Sequence, residues 1–224
     1  MSLYLFLCAI LYCRISLFYK FAMYIHSIMT KGMKRVNEIF YSLQGEGFHT
    51  GRAAVFVRFS GCNLRCPFCD TSFETYREMS DQEIVQTILQ YPARFVVLTG
   101  GEPTLQVDEA FTACLHQHGY EIAMETNGTR AIPPGIDWVT ISPKSPYCAG
   151  AALAVDRCNE LKCLFDGVTP VSTYGISAAH YYLQPCDVGD VQRNRAIVQQ
   201  CVEYIQAHPC WHLSLQTHKL VGFQ

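Results

Sequence analysis

Three cysteines, Cys62, Cys66 and Cys69, stand in the stretch GCNLRCPFCDT with three residues and then two between them, and no fourth follows nearby. Thiolates are soft ligands that select iron–sulfur clusters, zinc or copper(I). A closed structural zinc site wants a fourth Cys or His. The next histidine after Cys69 is His116, whereas His49 lies upstream and leaves zinc open as a lesser reading. In a four-iron cluster held by three cysteines, one iron has no protein ligand and is free to bind a small chelating molecule. Such spacing therefore suits a metal kept open for chemistry.

Elements that position these cysteines follow from the pattern around them. VNEIFYS and AAVFVRFS are β-branched and aromatic runs that read as strands. SDQEIVQTILQ opens with Ser80 and Glu83 in capping-box spacing and puts Ile84, Val85, Ile88 and Leu89 on one helical face. RFVVL reads as a buried strand, and Val107, Ala110, Phe111, Cys114 and Leu115 then recur at helical spacing. Further strands are expected at YEIAMET, WVTIS, ELKCLF, YYLQP and WHLSLQ, with a helix over about Val191 to Ala207. Strands joined by crossover helices imply an α/β fold with a parallel sheet. With more strands than helices, the expected form is a curved, incomplete (β/α) barrel with reduced helix content.

Polar motifs gather after the strands, at the carboxyl edge where α/β sites form. SGCNLRCPFCDT follows the strand ending near Phe59, TGGEP follows RFVVL, and ETNG follows YEIAM; SPK follows WVTI and QPCD follows YYL. Gly100 and Gly101 alone would read as a tight turn and Lys144 alone as a solvated charge; beside a metal cluster they read as a site.

The chain has 224 residues, half of them hydrophobic, which fits one α/β domain with a sizeable core. A formal net charge of −2 leaves no basic footprint for nucleic acid, so a small-molecule partner is expected. Of the 12 cysteines, those outside the triplet show no paired spacing and read as small core residues of a cytoplasmic protein, not as a secreted disulfide framework. Residues 1–32 are apolar and lack acidic residues, but the run breaks at Arg14, short of the roughly 20 residues a spanning helix needs. They are expected to be a leader outside the fold, with the domain over 33–224. Intact mass of protein from its native cell tests this, and a chain starting at Met1 contradicts it.

Cys62, Cys66 and Cys69, with an aromatic Phe68 before the third, resemble the radical S-adenosylmethionine enzymes, and GGEP resembles that superfamily's second motif. The resemblance implies a [4Fe-4S] cluster whose open iron chelates S-adenosylmethionine, the reductive cleavage of which yields a 5′-deoxyadenosyl radical. It implies cofactor contacts from Phe68, Cys69, Asp70, Gly101, Glu102 (to the cationic amino group), Ser142, Pro143, Lys144, Gln184, Pro185, Cys186 and Asp187. Over Met33 to Gln224, the stretches NEIFYSLQGEGFHTGRAAVFVRFSGCNLRCPFCDT and LSLQTHKLVGFQ resemble the 7-carboxy-7-deazaguanine synthase family.

That narrower resemblance implies a carbon–nitrogen lyase acting on 6-carboxy-5,6,7,8-tetrahydropterin in queuosine biosynthesis. Implied too are Mg2+ at Thr71, and substrate contacts from Leu43, Gln44, Gly45, Glu46, Arg58, Thr99, Glu125, His218 and Gln224. A homodimer and an electron donor such as flavodoxin or ferredoxin are the implied partners, with no direct nucleic acid and no membrane. Two alternatives share part of the pattern: a radical enzyme that activates a glycyl-radical partner, which would not require SLQGEG, and a zinc-binding interaction module.

Overall fold

The computed structural model describes residues 32–69 and 75–223. The leader expected over residues 1–32 lies outside the described residues apart from Gly32. Among the described residues no helix is long and apolar enough to cross a membrane.

Among the described residues nine strands form one open sheet in the order β3-β1-β2-β4-β5-β6-β7-β8-β9. They are β1 (Lys34–Leu43), β2 (Ala53–Phe59), β3 (Arg77–Met79), β4 (Phe95–Gly100), β5 (Glu121–Thr126), β6 (Trp138–Ile141), β7 (Arg157–Phe165), β8 (Ser177–Pro185) and β9 (Trp211–Leu213). From β2 through β9 the neighbouring strands run parallel. The expected parallel sheet carries one departure, because β1 is antiparallel to both β2 and β3 at one edge.

Helices α1 (Asp81–Ile88), α2 (Glu109–Gln117), α3 (Val191–Ala207) and the short α4 (Thr217–Val221) complete the chain. The capping box closes α1: Glu83 N donates to Ser80 Oγ at 3.3 Å while Ser80 N donates to Glu83 Oε2 at 2.7 Å. Asp108 and Asp190 cap α2 and α3 through the amides of Phe111 and Arg193, each at 2.9 Å. Val107 precedes α2 and still packs into its core. The expected strand WHLSLQ stops at Leu213, because Ser214 and Thr217 bond inward to Gly47 and Gly45 and start α4.

Period-2 alternation splits each central strand between two buried faces. Val55, Val57, Phe59, Val96, Leu98, Ile122 and Met124 pack outward against α1 and α2, while α3 covers Leu161, Cys163 and Leu183. Ala54, Phe56, Phe95, Val97 and Ala123 face inward. By the same alternation Arg58, Thr99, Glu125, Lys162 and Gln184 share that inner face, so the strand register itself aims a set of polar groups at one space.

Candidate active site

The inner face and the carboxyl-edge loops enclose a cavity of about 410 Å³, within the range of small-molecule sites. Two sets of residues line it, one from each end. Cysteine-bearing and glycine-bearing loops come from the carboxyl edge. The β1–β2 turn comes from the opposite edge, since Leu43 pairs with Ala53 at the start of β2, and it folds inward beneath them. Gln44 Nε2 donates to Glu125 Oε1 at 3.0 Å, Gly47 N to Ser214 Oγ at 3.0 Å and Phe48 N to Glu160 Oε2 at 3.0 Å.

At the carboxyl edge, Cys62, Cys66 and Cys69 all line the cavity, and none of them is in a disulfide. Burial pushes the Cys62 thiol up, and burial together with contact to Cys148 pushes Cys66 up to about 12. Among the described residues no three Cys, His, Asp or Glu side chains come close enough to hold a single metal ion. His49, the upstream candidate for zinc, packs edge-on or tilted against Phe48, Phe95 and Trp138 and does not line the cavity. Three thiols around one cavity mouth thus fit a polynuclear cluster with an open corner better than a zinc ion, and Cys62, Cys66 and Cys69 are the residues that would hold it.

The residues expected to meet S-adenosylmethionine mostly surround that mouth. Phe68, Cys69, Gly100, Gly101, Ser142, Lys144, Gln184, Pro185, Cys186 and Asp187 line the cavity. Phe68 is 40% exposed and edge-on to Tyr147 at 5.1 Å between centroids, leaving ring surface for an adenine. Gly100 adopts φ +111°, and a side-chain carbon there would lie 2.3 Å from the Phe59 carbonyl oxygen, so only glycine fits. Lys144 is not a solvated surface charge: Nζ turns back to donate to Ser142 Oγ at 2.5 Å and Ser142 O at 2.9 Å, and burial lowers its pKa. The Asp187 carboxylate is held down to about 2 by hydrogen bonds from Gly189 N, Lys219 and Asn194. Pro143 is buried and outside the lining, and Asp70 lies outside the described residues.

Glu102 departs from expectation. Its side chain is fully buried and outside the cavity lining. Oε1 accepts from Thr104 N at 3.1 Å, Thr104 Oγ1 at 2.6 Å and Thr126 Oγ1 at 2.7 Å, and Oε2 accepts from Asn127 N at 2.8 Å. A carboxylate so engaged ties the ends of β4 and β5 together. In this structure Glu102 is a brace beneath the glycine loop, outside the cavity lining.

Toward the floor, Leu43, Gln44, Gly45, Glu46, Arg58, Thr99, Glu125 and His218 all line the cavity. Thr71 and Gln224 lie outside the described residues. Arg58 Nε donates to Glu38 Oε1 at 2.7 Å, so the strand-end ion pair exists and fixes the guanidinium on the inner face. Gly45 is pressed against His218, where a side-chain carbon would come within 2.5 Å of Nδ1. Sequence reasoning missed the centre of this floor, Lys162. Its side chain is 6% exposed, and Nζ donates to Glu46 Oε2 at 2.5 Å and sits 3.7 Å from Glu125 Oε2. Burial disfavours the Glu46 carboxylate, yet Lys162, Gln216 and His218 outweigh it and hold its pKa at about 2. Burial likewise disfavours the ammonium, but Glu125, Glu46 and Glu160 hold the Lys162 pKa above the ordinary lysine value. The inward alternation of Glu160, Lys162 and Leu164 along β7 was the available signal.

The Radical SAM superfamily model matches residues 56–149, from β2 through the loop after β6. The 7-carboxy-7-deazaguanine synthase of Bacteroides thetaiotaomicron is 50% identical over 193 residues, 86% of this chain and the whole of the relative. That of Nitratidesulfovibrio vulgaris is 43% identical over 216 residues, covering 84% of this chain and 98% of the relative. The crystal structure of QueE from Escherichia coli superposes with a TM-score of 0.66 at 28% identity, over 82% of this chain and 93% of that one. With a cysteine mouth, a glycine loop and a carboxylate–lysine floor in one incomplete barrel, the chain belongs to the 7-carboxy-7-deazaguanine synthase family of radical S-adenosylmethionine enzymes.

Proposed function

We propose that this chain converts 6-carboxy-5,6,7,8-tetrahydropterin to 7-carboxy-7-deazaguanine with loss of ammonia, a step toward queuosine for tRNA. The observation that carries the reading is the two-ended cavity, with three cysteine thiols at its mouth and charged recognition groups on its floor. When bound, the iron–sulfur cluster and S-adenosylmethionine supply the hydrogen-abstracting radical. The chain's residues do the rest. Lys162 keeps Glu46 ionised and pairs with Glu125, so that the carboxylate oxygens of the floor accept hydrogen bonds from the amino and ring N–H groups of a pterin. Gln44 and His218 orient the ring edge, while Arg58, steadied by Glu38, takes the substrate carboxylate. Phe56 and Leu64 furnish apolar wall that excludes water. Anaerobic incubation with S-adenosylmethionine, a reductant and the carboxypterin should yield a product of the deazaguanine's mass, and recovery of unchanged pterin with the cluster intact would refute the activity. A glycyl-radical activating enzyme would need no charged floor of this kind.

Recognition and cofactor cleavage should separate in mutants. Arg58→Ala should weaken carboxypterin binding by roughly 2–5 kcal/mol, the cost of leaving a buried anion without its partner. Slow substrate-free cleavage of S-adenosylmethionine should survive in that variant. Isothermal titration and 5′-deoxyadenosine release measure the two; cleavage abolished with affinity unchanged would place Arg58 on the wrong ligand.

Magnesium at Thr71 belongs to the same reading, since a hard ion with few protein ligands and several waters is normal for Mg2+. Added Mg2+ should raise turnover, and Thr71→Ala should blunt that response while leaving the iron–sulfur absorption intact. A variant stimulated as strongly as the parent would reduce Thr71 to a loop residue. The reading further takes 33–224 as the catalytic domain of a cytoplasmic homodimer reduced by flavodoxin or ferredoxin. Sedimentation at the monomer mass, or no turnover with either donor in place of a chemical reductant, would contradict these parts.

A further inference from the structure

Cys148 is a sulfur behind the cavity lining, in contact with Cys66, that the chemistry above leaves without a task. Its Sγ lies 3.5 Å from Cys66 Sγ. Its position is fixed by the turn after β6, where the amides of Tyr147 and Cys148 both donate to the Lys144 carbonyl at 2.9 Å. Lys144 is itself anchored on Ser142, and the Tyr147 ring meets Phe68. The turn that carries the SPK motif therefore also delivers Cys148 to Cys66, and both sulfurs are partly buried.

Geometry limits what Cys148 does there. Thiolates on different irons of a cubane point away from one another along its diagonals, so a sulfur in contact with Cys66 does not reach the open corner. An iron holding Cys66 and three sulfides has its four ligands already. What remains is the thiol hydrogen, a weak donor beside a sulfur that carries negative charge once it binds iron. Hydrogen bonds to cluster sulfurs are among the levers that set reduction potential, and donation favours the more electron-rich, reduced state.

We propose that Cys148 donates its S–H to the iron-bound Cys66 sulfur and thereby raises the reduction potential of the cluster. Cys148 acts through Cys66 and touches neither substrate nor cofactor, so it is a positioning residue. The inference rests on Cys66 being a cluster ligand, as in the proposed function.

Potentiometric titration of the anaerobically reconstituted holoenzyme, followed by the electron paramagnetic resonance of the reduced cluster, tests it. Cys148→Ala and Cys148→Val, the second filling similar volume without a donor, should both shift the potential to more negative values. Cys148→Ser, which keeps a donor, should stay near the parent. In the parent, but not in the Ala or Val variants, transfer to heavy water should shift an iron–thiolate stretching band in the resonance Raman spectrum. Unchanged potentials in Ala and Val, or a Ser variant displaced as far as Ala, would overturn the hydrogen bond while leaving the cluster assignment standing. A parent that assembles no cluster would overturn both, and so tells the two failures apart.

Discussion

Cys62→Ala, Cys66→Ala and Cys69→Ala should each abolish both the iron–sulfur absorption and turnover. In the proposed function each thiolate is the sole protein ligand of its iron, and the three cysteines line one cavity. The loss is all-or-none because the radical chemistry has no route around the cluster. Cys201→Ala, in the fully buried packing under α3, should by contrast cost on the order of 1 kcal/mol of stability and no cluster. Cys114→Ala, half-buried beside α1, should cost less still. Iron content, the visible spectrum and product formation on the five variants decide the matter. Full activity in any member of the triplet would refute the assignment of the mouth.

Lys162→Met should cripple substrate binding while leaving the iron–sulfur spectrum unchanged. The ammonium is buried between Glu46 and Glu125, and methionine replaces its stem without its charge. Breaking a buried pair costs about 3–5 kcal/mol, equivalent to about a hundred- to a few thousand-fold in affinity. Without Lys162, burial pushes the Glu46 carboxyl up from its position at about 2, so it takes a proton that the parent excludes. The sign of the pH dependence follows: the ionised form accepts the pterin N–H groups, so binding to the variant should strengthen as pH rises, whereas binding to the parent should stay flat across neutral pH. Calorimetric titration with the carboxypterin across pH measures this. An affinity equal to the parent's, or a variant whose binding weakens as pH rises, would remove Lys162 from recognition.

Local chemistry was legible in the sequence wherever it depends on neighbours along the chain. The capping box at Ser80 and Glu83, the span of α3, and the strands bearing TGGEP, ETNG, SPK and QPCD follow from spacing and turn residues alone. Contacts between distant segments were not legible. Lys162 meets Glu46 across 116 residues of sequence, and alternation along ELKCLF gives the face that the lysine shares but not the partner it meets there. Glu102 looked like a free carboxylate because its partners, Thr126 and Asn127, come from the end of another strand. The antiparallel β1, which carries the LQGE turn in from the far edge, was hidden because alternation reads the same in either direction. Cys148 was grouped with core cysteines, since nothing near it in sequence points to Cys66, 82 residues earlier.

The central claim is that one cavity holds the radical source at its mouth and the pterin on its floor, so that hydrogen passes directly between them. Turnover of carboxypterin carrying deuterium at C6 measures this most directly, with S-adenosylmethionine recovered and analysed by mass. The account predicts deuterium at the 5′ carbon of the recovered cofactor. Deazaguanine formed with the label lost entirely to solvent would contradict it.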